Sequence, residues 1–468
     1  MRRRAAGAIG LTVSSAALLG ALATLAGLLG GVRATALGST VGRTYYVNVH
    51  GSDARSGRSA ATAWRTIGHV NRAHLRAGDR VLFRGGQVFS DTVLRPRSSG
   101  GVGSPIVFGS YGSGQATISN AGGAVWLPPG TNNLTFDGLV LTTGNQNNHT
   151  VFADSGNAPG SSNIIIRNSL IENSAGSGID SWQPTDSGWT IDHNTITHIG
   201  DSAIISLGNG TVISNNTISD IGWNNSISWA KHGVYAKGPN QTIDGNDFSN
   251  IPNGQAVSIR FHGAHVYDNT IHDTPYAFAF FDYDTAAAPQ GTSYIYDNRS
   301  WNISGYGFYY NSQADPQGHA PTVSFVVASN TFAISNGGEG VNLSEVPNGA
   351  TAQLANNIFS GTINSGYRGC PTCTETHNDW SGATSNIPHG SGDITTPPQL
   401  SPAPALAPAT TSPVTNAGTT TVPGITYTPA CDGQPLHYCG SAPDIGAVQA
   451  VEPKAAPSSL GRVTSPRG

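Results

Sequence analysis

Short runs of alternating apolar and polar residues recur through the middle of the chain, and each run leads into a polar turn. The repeating unit is a β-branched run, an Asn, a Ser or Thr, an Ile or Phe, a turn and another alternating strand. The marked positions are Asn168, Asn194, Asn215 or Asn216, Asn246, Asn269, Asn298, Asn330 and Asn357. Their spacing, from about 21 to about 32 residues, is typical of a solenoid.

The period predicts the fold class. A single coil cannot bury its own apolar side, whereas stacked coils share one continuous core. An Asn at a fixed turn position can bond to the equivalent Asn of the coils above and below. The alternative folds, a β-sandwich or a propeller, need hairpin turns every ~8–12 residues or repeats near ~40. We therefore predict an all-β, single-stranded right-handed parallel β-helix over residues 43–369.

A helix is predicted ahead of the first coils, over Trp64–Arg76, where it would cover an open sheet edge. Thr62 can cap its start and Gly78 can end it. Its apolar face consists of Trp64, Ile67, Val70 and Leu75. The stretch from Tyr45-Tyr46-Val47 through Gly51-Ser52-Asp53 and Trp64-Arg65-Thr66-Ile67 to Ala77-Gly78-Asp79 resembles the start of many secreted β-helix proteins of the pectate-lyase-like superfamily.

The two ends of the chain differ from the repeats. Residues 1–36 begin with the charged stretch Arg2-Arg3-Arg4, followed by a long apolar run and the small-residue site Ala34-Thr35-Ala36, a pattern typical of a cleaved export signal. The apolar run is also long enough to remain as a membrane anchor. Residues 370–451 are rich in Pro, Ser and Thr and predict an extended segment packed on the solenoid. Residues 452–468 are predicted to be disordered.

Composition supports this picture and narrows the partners. Charged residues make up 11% of the chain, and only five Glu accompany 22 Asp. Good helix formers are therefore scarce, while residues of strands and turns are plentiful. The net charge of −4 gives no support for a nucleic-acid partner. The sequence predicts a secreted monomer that binds a polysaccharide, with membrane contact only if the N-terminal segment is retained.

Four cysteines lie late in the chain: Cys370, Cys373, Cys431 and Cys439. An even number in an exported chain favours two disulfides. Each pair is close in sequence, so local pairing closes short loops at little entropic cost. The alternatives are cross-pairing, or one zinc ion held by the four thiolates or with His437 in place of one.

The strand after each turn can be aligned by its inward positions. Val234 and Ala236 align with Val257 and Ile259 as small or apolar residues, which places Lys237 and Arg260 outward on adjacent coils. Two cations this close disfavour each other's protonation, and only Lys can respond. The residues predicted to flank them are His232, His262, Asp282, Tyr283 and Asp284, with Trp182, Tyr235 and Tyr309 as aromatic surface for sugars.

The stretch from Val234 to Ile271, with Val-Tyr-Ala-Lys-Gly-Pro at its start and Ser258-Ile259-Arg260-Phe261-His262-Gly263 within it, resembles the catalytic region of chondroitinase B and related alginate lyases. The resemblance implies β-elimination on a uronic acid, with Lys237 as base and Arg260 as acid. His232 and His262 join them as candidate catalytic residues. The family also uses calcium held by Asn and Glu; no Glu lies between Glu172 and Glu339, so calcium stays open and no other cofactor is implied.

Two other functions remain open. A glycoside hydrolase would use carboxylates, for which Asp282 and Asp284, two residues apart, are candidates. Asp180 and Asp201 lie on earlier coils of the same predicted face. The third possibility is a non-catalytic solenoid that binds glycans at a surface.

Overall fold

The computed structural model describes residues 42–153, 159–226, 231–281, 291–311, 324–346, 351–369 and 372–450. The predicted export segment and the predicted disordered tail lie outside these ranges and stay predictions. No helix within the described ranges is long and apolar enough to cross a membrane.

The described residues form strands almost throughout. In chain order the strands are β1 Thr44–Val47, β2 Arg80–Arg84, β3 Val88–Phe89, β4 Ile106–Tyr111, β5 Ala116–Ser119, β6 Val125–Leu127, β7 Asn132–Asp137, β8 Leu139–Thr142, β9 Val151–Ala153, β10 Ser162–Arg167, β11 Leu170–Ser174, β12 Ile179–Ser181, β13 Thr190–Asp192, β14 Thr195–Ile199 and β15 Ile204–Ser206. They continue with β16 Val212–Ser214, β17 Thr217–Ile221, β18 Lys231–Ala236, β19 Thr242–Asp244, β20 Asp247–Ser249, β21 Gly254–Ile259, β22 His265–Tyr267, β23 Thr270–Phe281, β24 Thr292–Tyr296, β25 Arg299–Asn311, β26 Ser324–Ala328, β27 Thr331–Asn342, β28 Thr351–Ala355, β29 Ile358–Arg368 and β30 Cys373–Thr376. A single 3₁₀ turn, Ala60–Thr62, and one helix, α1 Ile67–Arg72, complete the described elements.

These strands stack in parallel, coil upon coil. Within the described ranges, one sheet has 13 strands in the order β1-β2-β4-β7-β10-β13-β16-β19-β22-β24-β26-β28-β30, and the other 17 strands belong to a second sheet. The chain winds as a right-handed solenoid, so the predicted fold class is confirmed. Parallel pairing continues beyond residue 369, because β30 pairs with β28.

One core runs the length of the solenoid. It is built from the inward residues of each strand, from Val47 near the first coil to Trp380 near the last. Ile, Val and Phe dominate this core, as expected for strands whose inner face is fully buried. The alternation that predicted the strands is therefore the alternation of core and outer positions.

A ladder of buried asparagines lines one corner of the solenoid. Its members are Asn194, Asn216, Asn246, Asn269, Asn298, Asn330, Asn357 and Asn378. Each Nδ2 donates to Oδ1 of the next member at 2.9 or 3.0 Å. The predicted ladder is thus confirmed for most positions, and it extends one coil further, to Asn378.

The prediction was wrong at one corner position. Asn168 is not in the ladder; Ser169 takes that place, and its N–H donates to Asn194 Oδ1 at 3.0 Å. Asn168 instead has φ of 51° and Asn215 has φ of 53°, the left-handed conformation that Asn tolerates. The corner therefore uses two consecutive residues, a left-handed one and then a ladder one. Of Asn215 and Asn216, the ladder residue is Asn216.

The N-terminal helix is shorter than predicted. It covers Ile67–Arg72, and Thr66, not Thr62, caps it by accepting from the N–H of His69 at 3.0 Å. Ala73, not Gly78, follows its last turn. Ile67 and Val70 are buried in the solenoid core, so the segment does cover apolar residues of the first coils.

The C-terminal segment packs on the outside of the solenoid. Val422 and Ile425 form a small apolar cluster with Val326, Ala328 and Ala355 of the coils. Such clusters bury outward apolar residues that would otherwise face water.

One predicted disulfide is present. Cys431 and Cys439 are bonded, which confirms their local pairing and excludes a zinc site made of all four thiolates. Cys370 lies outside the described residues, so its pairing with Cys373 stays a prediction.

Candidate functional site

The strand register places the predicted site on the outer face of the 17-stranded sheet. Tyr235 pairs with Ile205 on one side and with Ser258 on the other, and Ile205 pairs with Asp180. Arg260 N donates to Ala236 O at 2.8 Å, which sets Arg260 beside Lys237. The strand register agrees with the alignment predicted from alternation, and the roles of these residues stay predictions.

A pocket of about 550 Å³ opens on this face. It is lined by His149, Phe152, Ser177, Asp180, Trp182, Asp201, Ser202, Ile205, His232, Tyr235 and Arg260. Concave sites with aromatic walls and a few converging polar groups are the usual form of ligand sites.

Arg260 lines the basic side of the pocket, and Lys237, which is not among the lining residues, lies beside it; the two are called here the basic pair. Lys237 Nζ lies 5.1 Å from the ring centres of both Trp182 and Tyr235. The Arg260 guanidinium lies 4.9 Å from the ring centre of Tyr235 and 3.9 Å from that of Phe281. Each such cation–π contact contributes about 0.5–2 kcal/mol, and the rings hold both cations in place.

The acidic side of the pocket is formed by Asp201 and Asp180, which lie two and three coils before Arg260. Asp180 is buried, and its Oδ2 lies 2.8 Å from His149 Nδ1. Asp201 is also buried. Burial lowers the pKa of His149, but the contact with Asp180 and the charges of Asp180 and Asp201 outweigh burial, so the pKa is raised above its usual value. His149 therefore carries positive charge over a wider pH range than a free imidazole.

His232 lies between the two sides. Its ring stacks on Tyr235 with centres 4.3 Å apart and an angle of 4°, and its Nδ1 is 3.2 Å from Ser202 Oγ. Burial, then the charges of Arg260 and Lys237, lower the pKa of His232 to about 3, against a smaller opposing effect of Gln255. The imidazole is therefore neutral at ordinary pH and separates the two charged sides.

The other predicted site residues do not all reach this pocket. Trp182 and Tyr235 line it. His262 lies in the turn between β21 and β22, where it packs on Phe261, and is not among the lining residues. Tyr309 lies three strands beyond Tyr235, opposite Ala279. Asp282, Tyr283 and Asp284 lie outside the described residues, so their roles stay predictions.

Sequence analysis missed His149 and Ser202, and it assigned Asp180 and Asp201 only to the hydrolase alternative. Asp180 carried a usable signal, because it occupies an outward position of an aligned strand. His149, Asp201 and Ser202 lie just ahead of the strands, where alternation gives no register. Within the described ranges, no three His, Cys, Asp or Glu side chains come together to hold a metal ion.

Comparison with known proteins gives the same fold. Residues 223–373 match the family model described as the right-handed beta helix region. The chain is a right-handed parallel β-helix protein. A sequence comparison with curated proteins found no match.

One solved structure supports the fold assignment, and two others are similar at lower scores. Pectate lyase Pel9A aligns with 88% of this chain and 98% of its own at 15% identity and a TM-score of 0.50. The GH136 lacto-N-biosidase of Eubacterium ramulus covers 67% of this chain and 68% of its own, at 14% identity and a TM-score of 0.45. The PL6 polysaccharide lyase Pedsa3628 of Pseudopedobacter saltans covers 70% and 90%, at 16% identity and a TM-score of 0.43.

Proposed function

We propose that this β-helix protein binds a uronate-containing polysaccharide on the outer face of the 17-stranded sheet and cleaves it by β-elimination. The observation that carries the proposal is the basic pair on adjacent coils: Arg260 lines the pocket, Lys237 lies beside it, and the rings of Trp182, Tyr235 and Phe281 contact the two cations. A carboxylate is the group that two neighbouring cations bind best.

The two side chains suit different parts of the reaction. Removing the proton from the carbon beside the carboxylate places negative charge on the carboxylate oxygens, and the fixed positive charge of Arg260 stabilises it. Lys237, in its neutral amine form, is assigned as the base that takes the proton. A C=C bond then forms as the C–O bond to the next sugar breaks, and the leaving oxygen takes a proton from the resulting Lys237 ammonium or from water.

Two likenesses support the proposal. The segment Val234–Ile271, which carries the basic pair, resembles the catalytic region of chondroitinase B and alginate lyases. Pectate lyase Pel9A, which shares the fold, is by its name a lyase that acts on a polysaccharide. The N-terminal pattern adds the proposal that the chain is exported to the outside of the cell, where such polymers are found.

A lyase is tested by its product. An unsaturated uronate absorbs ultraviolet light, so a panel of acidic polysaccharides is assayed for rising absorbance. Lys237→Ala and Lys237→Arg should each lower the rate by at least about 100-fold, because neither side chain acts as a base. Full activity of Lys237→Ala would refute the assignment of the base.

A matched control separates chemistry from folding. Arg167→Ala removes a cation of the other sheet that pairs with Asp137 at 2.9 Å. An exposed ion pair of this kind contributes about 0–1 kcal/mol, so both activity and melting temperature should stay near those of the unchanged protein. Lys237→Ala should cost at most about 1–2 kcal/mol, since it removes two cation–π contacts.

A hydrolase is the second candidate, and one observation favours it. Asp180 and Asp201 are both buried at the same pocket, and Asp180 Oδ1 has no hydrogen-bond partner among the described residues. Glycosidases use two carboxyl groups of this kind, one as acid and one as base or nucleophile. New reducing ends without ultraviolet absorbance, lost in Asp180→Asn, would favour the hydrolase. Binding without either product would indicate a non-catalytic glycan-binding solenoid.

A further inference from the structure

The ring of Tyr235 contacts both members of the basic pair. Lys237 Nζ lies 5.1 Å from its ring centre, and the Arg260 guanidinium lies 4.9 Å from it. Trp182 contacts Lys237, and Phe281 contacts Arg260. Among the described residues, Tyr235 is therefore the ring that these two side chains of adjacent coils share. A change in the orientation of this ring affects the positions of both.

His232 stacks on the ring of Tyr235. The ring centres are 4.3 Å apart, and the angle of 4° between the planes makes the stack almost parallel. Pairing with Ile205 and Ser258 fixes the backbone of Tyr235, but its side chain is only partly buried and can turn about its side-chain bonds. Within the described ranges, His232 is the one ring that stacks on it. The orientation of the Tyr235 ring therefore depends on His232.

His232 is itself enclosed by the protein. Its Nδ1 lies 3.2 Å from Ser202 Oγ, and Gln255, which is opposite it in β21, lies close enough to affect its pKa. His232 is 2% exposed, and burial, then the charges of Arg260 and Lys237, lower its pKa, so the ring stays uncharged. An enclosed imidazole of such low basicity is suited to support a neighbouring ring and poorly suited to exchange a proton with a substrate.

We propose that His232 is a positioning residue, which holds the Tyr235 ring between Lys237 and Arg260 and thereby fixes the separation of these two side chains, and that it exchanges no proton with the substrate. The base and the fixed positive charge must reach the same uronate, so a small change in their separation lowers the rate. This role differs from the catalytic one expected from the sequence. It rests on the proposed binding of a uronate at the basic pair.

Two substitutions separate the ring of His232 from its nitrogens. His232→Phe keeps a stacking ring that cannot exchange protons, whereas His232→Asn keeps a polar partner for Ser202 and removes the ring. In the ultraviolet assay, kcat/KM should stay within about threefold in His232→Phe and fall about tenfold in His232→Asn, which corresponds to about one lost cation–π contact. The pH–rate profile of His232→Phe should match that of the unchanged protein. A proton-transfer role would instead lower kcat at least about 100-fold in both variants.

A double-mutant cycle tests whether His232 acts through Tyr235. Tyr235→Leu alone should lower kcat/KM at least about tenfold, because it removes the shared ring. Adding His232→Asn to Tyr235→Leu should then have no further effect, whereas losses that multiply would overturn the inference. The control is His265→Asn on the other sheet, which breaks a His–Tyr stack with Tyr294 whose ring centres are 5.0 Å apart. It should leave kcat/KM unchanged.

Binding of a tetrasaccharide of uronates, measured by calorimetry, separates this inference from the lyase assignment. If the unchanged protein binds it without forming unsaturated products, affinity retained in His232→Phe and lost about tenfold in His232→Asn would uphold the positioning role and refute the lyase alone. Equal losses in the two variants at unchanged melting temperature, or no binding of the tetrasaccharide, would overturn the inference. If His232→Phe does not fold, the double-mutant cycle decides by itself.

Discussion

Replacing one ladder asparagine should destabilise the protein far more than replacing an exposed asparagine. Asn269 is fully buried. Its Nδ2 donates to Asn298 Oδ1, Ile243 O and Tyr267 O, each at 2.9 Å. Its Oδ1 accepts from both N and Nδ2 of Asn246 at 3.0 Å. Asn269→Ala removes all of these bonds at once.

The magnitude follows from what is left without a partner. The N–H of Asn246 is buried and loses the acceptor that the ladder gives it. A buried donor left unsatisfied costs about 1–3 kcal/mol, and each further hydrogen bond adds about 1 kcal/mol. Because Asn246 Nδ2 still bonds to Ile213 O and Asp244 O, we expect a total loss of about 2–4 kcal/mol.

Urea unfolding measures this loss as a lower midpoint at an unchanged slope. The control is Asn209→Ala, because Asn209 is exposed and its Oδ1 accepts one bond from Asn240 at 3.0 Å; its cost should stay within about 0.5 kcal/mol. A difference below about 0.5 kcal/mol between the two variants would refute the argument that the ladder stabilises the stack.

Three further predictions concern the pocket and the C-terminal segment. Because the pKa of His149 is raised in the folded state, its contribution to stability is fully present below the ordinary histidine pKa of 6.5, and it disappears as pH rises through the folded-state pKa. The difference in stability between the unchanged protein and the Asp180→Asn variant should therefore decrease with rising pH in thermal melts. A difference that stays constant would contradict this. The lowered pKa of His232 acts in the opposite sense, so stability should fall from about pH 6.5 towards about pH 3, and less steeply in His232→Phe. Replacing Cys431 and Cys439 by Ser should cost roughly 2–3 kcal/mol and expose this region to limited proteolysis; unchanged protection would contradict it.

The fold could be predicted from the sequence because two simple periods mark its repeat: the alternation of apolar and polar residues within a strand, and the spacing of Asn residues between coils. Alternation with period two placed Val234 and Ala236 inside, and the register of the neighbouring strands followed from it. The Asn spacing gave the coil length. Alternation did not resolve which of two corner residues joins the ladder, because both positions tolerate Asn and only the backbone conformation separates Asn215 from Asn216.

Residues of the site could be predicted only where the register of a strand determines their position. Lys237, Arg260, Tyr235 and Trp182 follow from the register, and the structure places them together. His149 does not, because it precedes β9 and reaches the site through its contact with Asp180. The predicted start of the helix was wrong for a similar local reason. Thr62 and Thr66 offer equivalent capping side chains, and only tertiary packing distinguishes them.

In this architecture, the spacing of charged groups along the outer face of the 17-stranded sheet depends on the number of coils between them. Each coil adds one layer to the outer face, so acidic, neutral and basic side chains follow one another along the axis in the order of Asp180, Tyr235 and Arg260. A substrate that lies along this axis meets one outward column per coil. Inserting or deleting a coil between β12 and β21 would therefore change the distance between the acidic side and the basic pair by ~4.8 Å while preserving the core. The spacing of charges along this face can thus change without any change in the fold that carries them.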